Sequence, residues 1–154
     1  MAEGALDPGT KSAGVKLIGV VSVSAIPTTA LLADASSNPA VTQQGLAACN
    51  AAWNNAGSSF NDQRGAMWSH GGVAQTMFNT VATPNSTNSP WSYCDLYSAS
   101  AYGVYASASS WHPGGVNVLM TDGSVKFIKN AVNQTTWWAL GTRAGGEVIS
   151  SDSY

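Results

Sequence analysis

Two histidines are the residues best suited to chemistry near neutral pH in this 154-residue chain. They lie in similar surroundings: Trp68-Ser69-His70-Gly71-Gly72 and Trp111-His112-Pro113-Gly114-Gly115. Two imidazoles and one carboxylate, from Asp62 or Glu147, would make a minimal metal site with open positions. Metal-assisted hydrolysis is the reaction such a site supports. His112, His70 and Asp122 are therefore the candidate catalytic residues, and His70 and His112 the candidate metal ligands. Nothing in their spacing brings them together. Asp122 is explained by the Asp-Gly turn it opens. About six strand residues separate it from His112, roughly 20 Å at about 3.3 Å per residue. His112 is expected to hydrogen-bond a backbone carbonyl and fix the start of the strand that follows.

Other nucleophiles are weaker candidates. No serine stands in a G-x-S-x-G elbow, and Ser109 and Ser110 neighbour His112 only along the chain. Six tryptophans, Trp53, Trp68, Trp91, Trp111, Trp137 and Trp138, offer stacking faces for a sugar, although large aromatics ordinarily fill cores. The preferred reading is a non-catalytic domain that needs no cofactor or metal. A small secreted hydrolase using His112 and His70, and a carbohydrate-binding module using surface tryptophans, stay open as alternatives.

The elements that must hold these residues are built from an unusual composition. Hydrophobic residues make up 44% of the chain, enough for a core, while charged residues make up only 9%, against roughly 25% in typical soluble domains. Hydroxyls and amides keep such a surface in water, which suits exported or fibre-forming proteins. The net charge is -2 with no basic stripe, so a footprint for nucleic acid is missing, Lys126 and Lys129 reading as a solvated strand edge. No run reaches the roughly 18 apolar residues of a membrane span. Residues 15–26 are apolar behind Lys11 and Lys16 but are broken by Gly19, Ser22 and Ser24, and read as a strand. Two cysteines in this context predict a Cys49–Cys94 disulfide between the main helix and the Pro90–Tyr93 region, with two separate buried thiols as the alternative.

Along the chain, residues 1–14 read as a loop, and 17–26 as a strand. Asn38 and Pro39 are a helix-start signal. Val41, Leu46, Cys49 and Trp53 then follow at helical spacing to a stop at Asn55–Gly57, which predicts a helix over 39–56. Residues 77–81 read as a strand, and 83–90 as a turn-rich loop. Asp122-Gly123 between β-prone runs predicts a hairpin with a two-residue turn. That turn pairs Met120 with Val125, and Val118 with Phe127. Val116, Val118, Met120, Val125 and Phe127 then share a face, with Leu119 opposite Lys126 on the other. Residues 133–140 predict a short helix that presses Trp137 or Trp138 onto a sheet, and Val148-Ile149 a final strand. Arg64 and Arg143 are expected to pair with Asp62, Asp95 or Glu147. The sum is one α+β domain over 1–154, an antiparallel sheet packed on one main helix with long irregular loops.

His112-Pro113-Gly114-Gly115-Val116-Asn117-Val118, with Asp122-Gly123 placed after nine intervening residues, resembles the C-terminal hallmark of a bacterial family. That family is the prepilin-type processing-associated proteins, which carry a domain of unknown function. The tail Trp138–Val148, the run Asp62-Gln63-Arg64-Gly65 with Trp68, Phe78-Asn79-Thr80-Val81 and Pro84-Asn85-Ser86 are similar to it as well. The resemblance covers residues 38–154. It implies a pilin-like globular head, exported to the cell surface, with structural or adhesive work and no established activity. Other pilin-like subunits or cell-surface polysaccharide are the partners it implies. Members start with a prepilin leader and a long apolar anchor helix. This sequence has neither, so it reads as the C-terminal portion of such a protein.

Overall fold

The main helix forms because a single stripe of small and apolar side chains repeats every three to four residues. Thr42, Gly45, Leu46, Cys49 and Trp53 are the buried positions of α1 (Pro39–Asn55), flanked by the half-buried Val41, Ala48 and Ala52, while Gln43, Gln44, Ala47, Ala51 and Asn54 are exposed. It starts where the sequence predicts, with the Thr42 amide and hydroxyl both donating to the Asn38 carbonyl at 3.1 and 3.2 Å. The computed structural model describes residues 20–23, 35, 38–55, 69, 71–72, 77–97 and 102–154. Around α1 they hold strands β1 (Val20–Val23), β2 (Tyr93–Tyr97), β3 (Tyr102–Ala106), β4 (Gly115–Leu119) and β5 (Val125–Lys129). A short helix α2 (Gln134–Leu140) and one 3-10 turn at Ser151–Ser153 complete them.

The fold is α+β, with two sheets. The first has the order β1-β2-β3, and it is mixed rather than antiparallel: β1 runs parallel to β2, and β2 antiparallel to β3. A parallel pair requires a crossover, and the stretch that contains α1 provides it, with α1 lying against β1. Cys94 and Leu96 of β2 face the helix with Tyr105 of β3. Together with Leu46, Cys49, Trp53, Ala82 and Trp91 they form the first core. Gly45 lets α1 approach closely, because a Cβ there would lie 2.5 Å from the Tyr105 hydroxyl.

The second sheet is the β4–β5 hairpin, and its register departs from the predicted one by a residue. The loop has three residues, Thr121-Asp122-Gly123. The Gly123 amide donates to the Met120 carbonyl (3.1 Å) and the Met120 amide to the Ser124 carbonyl (2.8 Å). Only Gly123 of the three has positive φ (86°), as a type I turn followed by a left-handed glycine demands. Leu119 therefore opposes Val125, Val118 opposes Lys126 and Val116 opposes Ile128. A slip of one residue turns every side chain of β5 to the opposite face. Ile128 enters the second core with Val116, Val118, Ala108, Val132 and Trp137, while Val125 and Phe127 turn outward.

Two further predicted strands are absent. Residues 78–83 run irregularly beside β3, where the Asn79 side chain substitutes for a strand: it donates to the Val104 carbonyl (2.6 Å) and accepts from the Ala106 amide (3.1 Å). Residues 142–150 form no strand, and Val148 is fully exposed. The predicted short helix is present, capped by Asn133, whose side chain accepts from the Thr135 amide and hydroxyl. Both of its tryptophans are buried, and their indoles donate to the Ala82 and Val81 carbonyls at 2.7 and 2.9 Å.

Candidate functional site

Of the residues singled out for chemistry, His112 and Asp122 lie at the two ends of the hairpin. Asp122 lies in the closing turn. Its carboxylate accepts from the Ser124 amide (2.9 Å) and hydroxyl (2.7 Å). These two bonds, the hydroxyl's first, hold its pKa below the ordinary carboxylate value. A fully exposed acid stabilised as the anion by its own turn is poorly suited to proton transfer near neutral pH.

His112 lies at the open end, exposed, with its backbone amide donating to Ser110 Oγ at 3.1 Å. Five residues of β4 stand between that end and the turn, so His112 and Asp122 do not share a proton. His70, Asp62, Arg64 and Trp68 lie outside the described residues. Among the described residues no three His, Cys, Asp or Glu side chains cluster as metal ligands would. Glu147 accepts from the Thr142 hydroxyl (2.9 Å) rather than from Arg143, which is exposed and makes no ion pair among the described residues. Asp95 accepts from the Tyr93 hydroxyl.

What positions the His112 segment is a residue that the reading of the sequence treated only as part of a motif. Asn85 is buried with φ of 50°, a left-handed conformation that asparagine tolerates better than most residues. Its side chain donates to Asn130 Oδ1 (2.8 Å) and, at 3.4 Å, to the Gly115 carbonyl, and it accepts from the Ser110 amide (2.9 Å). Its backbone amide donates to the Ala108 carbonyl (3.2 Å), and the Asn130 amide donates to Gly114 (2.7 Å). One amide thus ties the 84–86 loop, the 108–110 segment and both strands of the hairpin base together. Gly114 adopts φ of 87°, and a Cβ on Gly115 would lie 2.2 Å from the Ile128 carbonyl. Gly114 is favoured by its left-handed backbone and Gly115 by this close packing. The signal that could have found the hub is Pro84-Asn85-Ser86, a turn-forming run that places an amide where the chain reverses.

Among the described residues the tryptophans do not form a platform. Trp53, Trp91, Trp137 and Trp138 are buried, Trp91 donating to Asn50 Oδ1 (2.8 Å), whereas Trp111 is 64% exposed. A groove of about 430 Å³ opens between Phe78, Met120, Leu140 and Arg143. Asn79, Thr80, Thr121 and Thr142 line it as well, and neither His112 nor Asp122 does. Cys49 and Cys94 are fully buried and bonded to each other, Cα to Cα 6.1 Å, across 45 residues of chain.

Residues 26–135 match a family described as protein of unknown function (DUF1559). The chain belongs to that family. The match encloses α1, the disulfide, the Asn85 hub and the whole β4–β5 hairpin, and ends in the first turn of α2, short of the Trp138–Val148 tail. No curated protein and no solved structure matches the chain. In this member of DUF1559, His112 to Gly115 and Asp122-Gly123 lie at the two ends of one hairpin. No helix among the described residues is long and apolar enough to cross a membrane.

Proposed function

We propose that this DUF1559 chain is the extracellular, non-catalytic head of a type IV pilin-like protein, with structural or adhesive work at the cell surface. The observation that carries this reading is the buried Cys49–Cys94 bond. Disulfides of this structural kind persist in oxidising compartments and are rare where thiols are kept reduced. The charge-poor composition supports the same reading, as does the use of the motif residues: Gly114 and Gly115 shape the hairpin base, and Asp122-Gly123 close its tip. Other pilin-like subunits are the partners such a head would meet.

The test is made on intact cells that produce the protein. A membrane-impermeant amine reagent should label it, and shearing should release it together with surface filaments. The chain recovered under denaturing, non-reducing conditions should titrate with no free thiol. Unlabelled protein bearing two free thiols overturns the proposal. So does hydrolytic turnover of an ester, phosphoester or glycoside that is lost in His112→Ala.

A further inference from the structure

The β5 strand is an open edge with an apolar flank, and we infer that it pairs with β5 of a second copy of this chain. The hydrogen bonds at both ends of the hairpin, Met120 to Ser124 and Asn130 to Gly114, set its alternation. Residues 116, 118, 126 and 128 bond across the hairpin, so the amides and carbonyls of Val125 and Phe127 point away from β4. Among the described residues these outward groups meet no partner. The side chains beside them are apolar and exposed: Val125 64%, Phe127 46% and, opposite Val125, Leu119 42%. Phe127 is also held in place, its ring lying over Gly115, where a Cβ would come within 2.7 Å of it.

An open, apolar edge is a template for another strand, and lysines are the usual defence. Here the two lysines do not defend it. Lys126 is on the core side of β5, its ammonium 3.1 Å from the Tyr154 hydroxyl and 5.2 Å from that ring's centre. Lys129 is at the end of the strand. In an antiparallel β5–β5 pair centred on Phe127, outward backbone groups meet outward groups. Phe127 opposes its own copy, Val125 opposes Lys129, and Lys126 opposes Ile128. No lysine faces a lysine, and the arrangement is closed by a two-fold axis, as an isologous interface requires. Of the two neighbouring registers, the one centred on Lys126 places Lys126 against Lys126 and is disfavoured, and the one centred on Ile128 pairs only residues 127–129 of each strand and leaves Val125 outside the pairing. A net charge of only -2 adds little repulsion between copies. The product is a four-stranded sheet in the order β4-β5-β5-β4. This inference rests on the β5 edge alone and is independent of the pilin-like reading.

The full-length chain is tested by sedimentation across a concentration series and by cysteine cross-linking. The wild type should move from one chain mass to two. Val125→Pro, which deletes an outward amide without touching the hairpin's bonds, should stay at one, as should Phe127→Asp. The double variant Val125→Cys/Lys129→Cys should cross-link two chains under mild oxidation, since directly opposed strand residues lie within disulfide reach. Within one chain the two new thiols are four strand residues apart, about 13 Å, and cannot bridge. Leu119→Cys/Lys129→Cys is the control, with one thiol moved off the edge. A wild type that stays monomeric overturns the inference. So does equal cross-linking by the control, or a ladder of larger assemblies in place of a dimer.

Discussion

Removing both cysteines, as Cys49→Ala/Cys94→Ala, tests the covalent tie between α1 and β2. The bond closes a loop over a sequence separation of 45. The loop-entropy relation then gives about 4 kcal/mol of stabilisation, acting through the unfolded chain. For a domain of this size 1 kcal/mol shifts the melting temperature by roughly 2–4 °C, so the double variant should melt roughly 8–16 °C lower. Each lost sulfur also leaves a small void beside Leu46 or Tyr105, which pushes the result toward the larger figure. Calorimetry of the wild type and the variant measures the difference, and the near-ultraviolet spectrum below the transition should be unchanged. Both sulfurs are fully buried, so a reductant reaches the bond only in molecules that have opened. Wild type in reductant should therefore hold its native melting curve at first and drift toward the variant's with time. A drop of only a degree or two in the double variant refutes the reasoning, because the loop would then be unconstrained in the wild type as well.

Three further outcomes are expected. Asn85→Ala should lose about 2–4 kcal/mol in denaturant unfolding, since it strands the Ser110 amide and Asn130 and puts at positive φ a residue that tolerates it less well than asparagine; Asn85→Gly, which adopts that φ freely, should lose less. Gly45→Ala should destabilise by about 1 kcal/mol, because crowding Tyr105, which is pinned against Trp91 at 6.5 Å, outweighs the gain in helix propensity; a more stable variant would mean that the ring yields freely. Ser124→Ala should raise the Asp122 midpoint, followed by carboxyl carbon shifts, toward the ordinary value of about 3.9. The sign follows from a folded pKa below the unfolded one: the turn's bonds stabilise fully above the unfolded value and are lost as pH falls through the folded value. An unmoved midpoint refutes that account.

Much of the fold was legible where signals are local. The α1 helix, predicted over 39–56, runs Pro39–Asn55, because the Asn38-Pro39 start and the Val41, Leu46, Cys49 and Trp53 spacing are signals local to it; the burial of Thr42 and Gly45 was not read. The α2 cap at Asn133 was legible for the same reason. The hairpin was placed correctly, but its register was not, since Asp-Gly serves a two-residue turn and a three-residue loop alike. The choice is made by which β5 residue fills the space between Val116 and Trp137. Ile128 does so, and this depends on α2, remote from the turn. The parallel pairing of β1 depends on a partner more than seventy positions away, which periodicity cannot report. The site divided in the same way. The Asp-Gly turn could be read from sequence, and Pro84-Asn85-Ser86 marks a chain reversal, but the partners of Asn85 could not be read, because its bonds reach 25, 30 and 45 residues ahead.

The composition and the architecture have a common cause. With 9% charged residues, the chain has few ions with which to fix irregular backbone, and buried ions would be costly in any case. Neutral side chains do this work. Asn79 completes the edge of β3, Asn85 and Asn130 join the hairpin base to two loops, and Asn50 takes the Trp91 indole. Gln134, Trp137 and Trp138 hold the carbonyls of Val81 and Ala82. Each such bond contributes only about 1 kcal/mol net, but leaving a buried partner unmade costs about 1–3 kcal/mol. The irregular middle of the chain is therefore specified by the penalty on alternatives more than by the strength of any one contact. Neutral bonds of this kind are also largely insensitive to salt and to pH across the neutral range, whereas an ion-pair framework is screened. Stability that barely changes from low to high salt follows from this design, and denaturant melts at two ionic strengths measure it. A strong salt dependence would show that ion pairs, rather than amides and indoles, hold the loops.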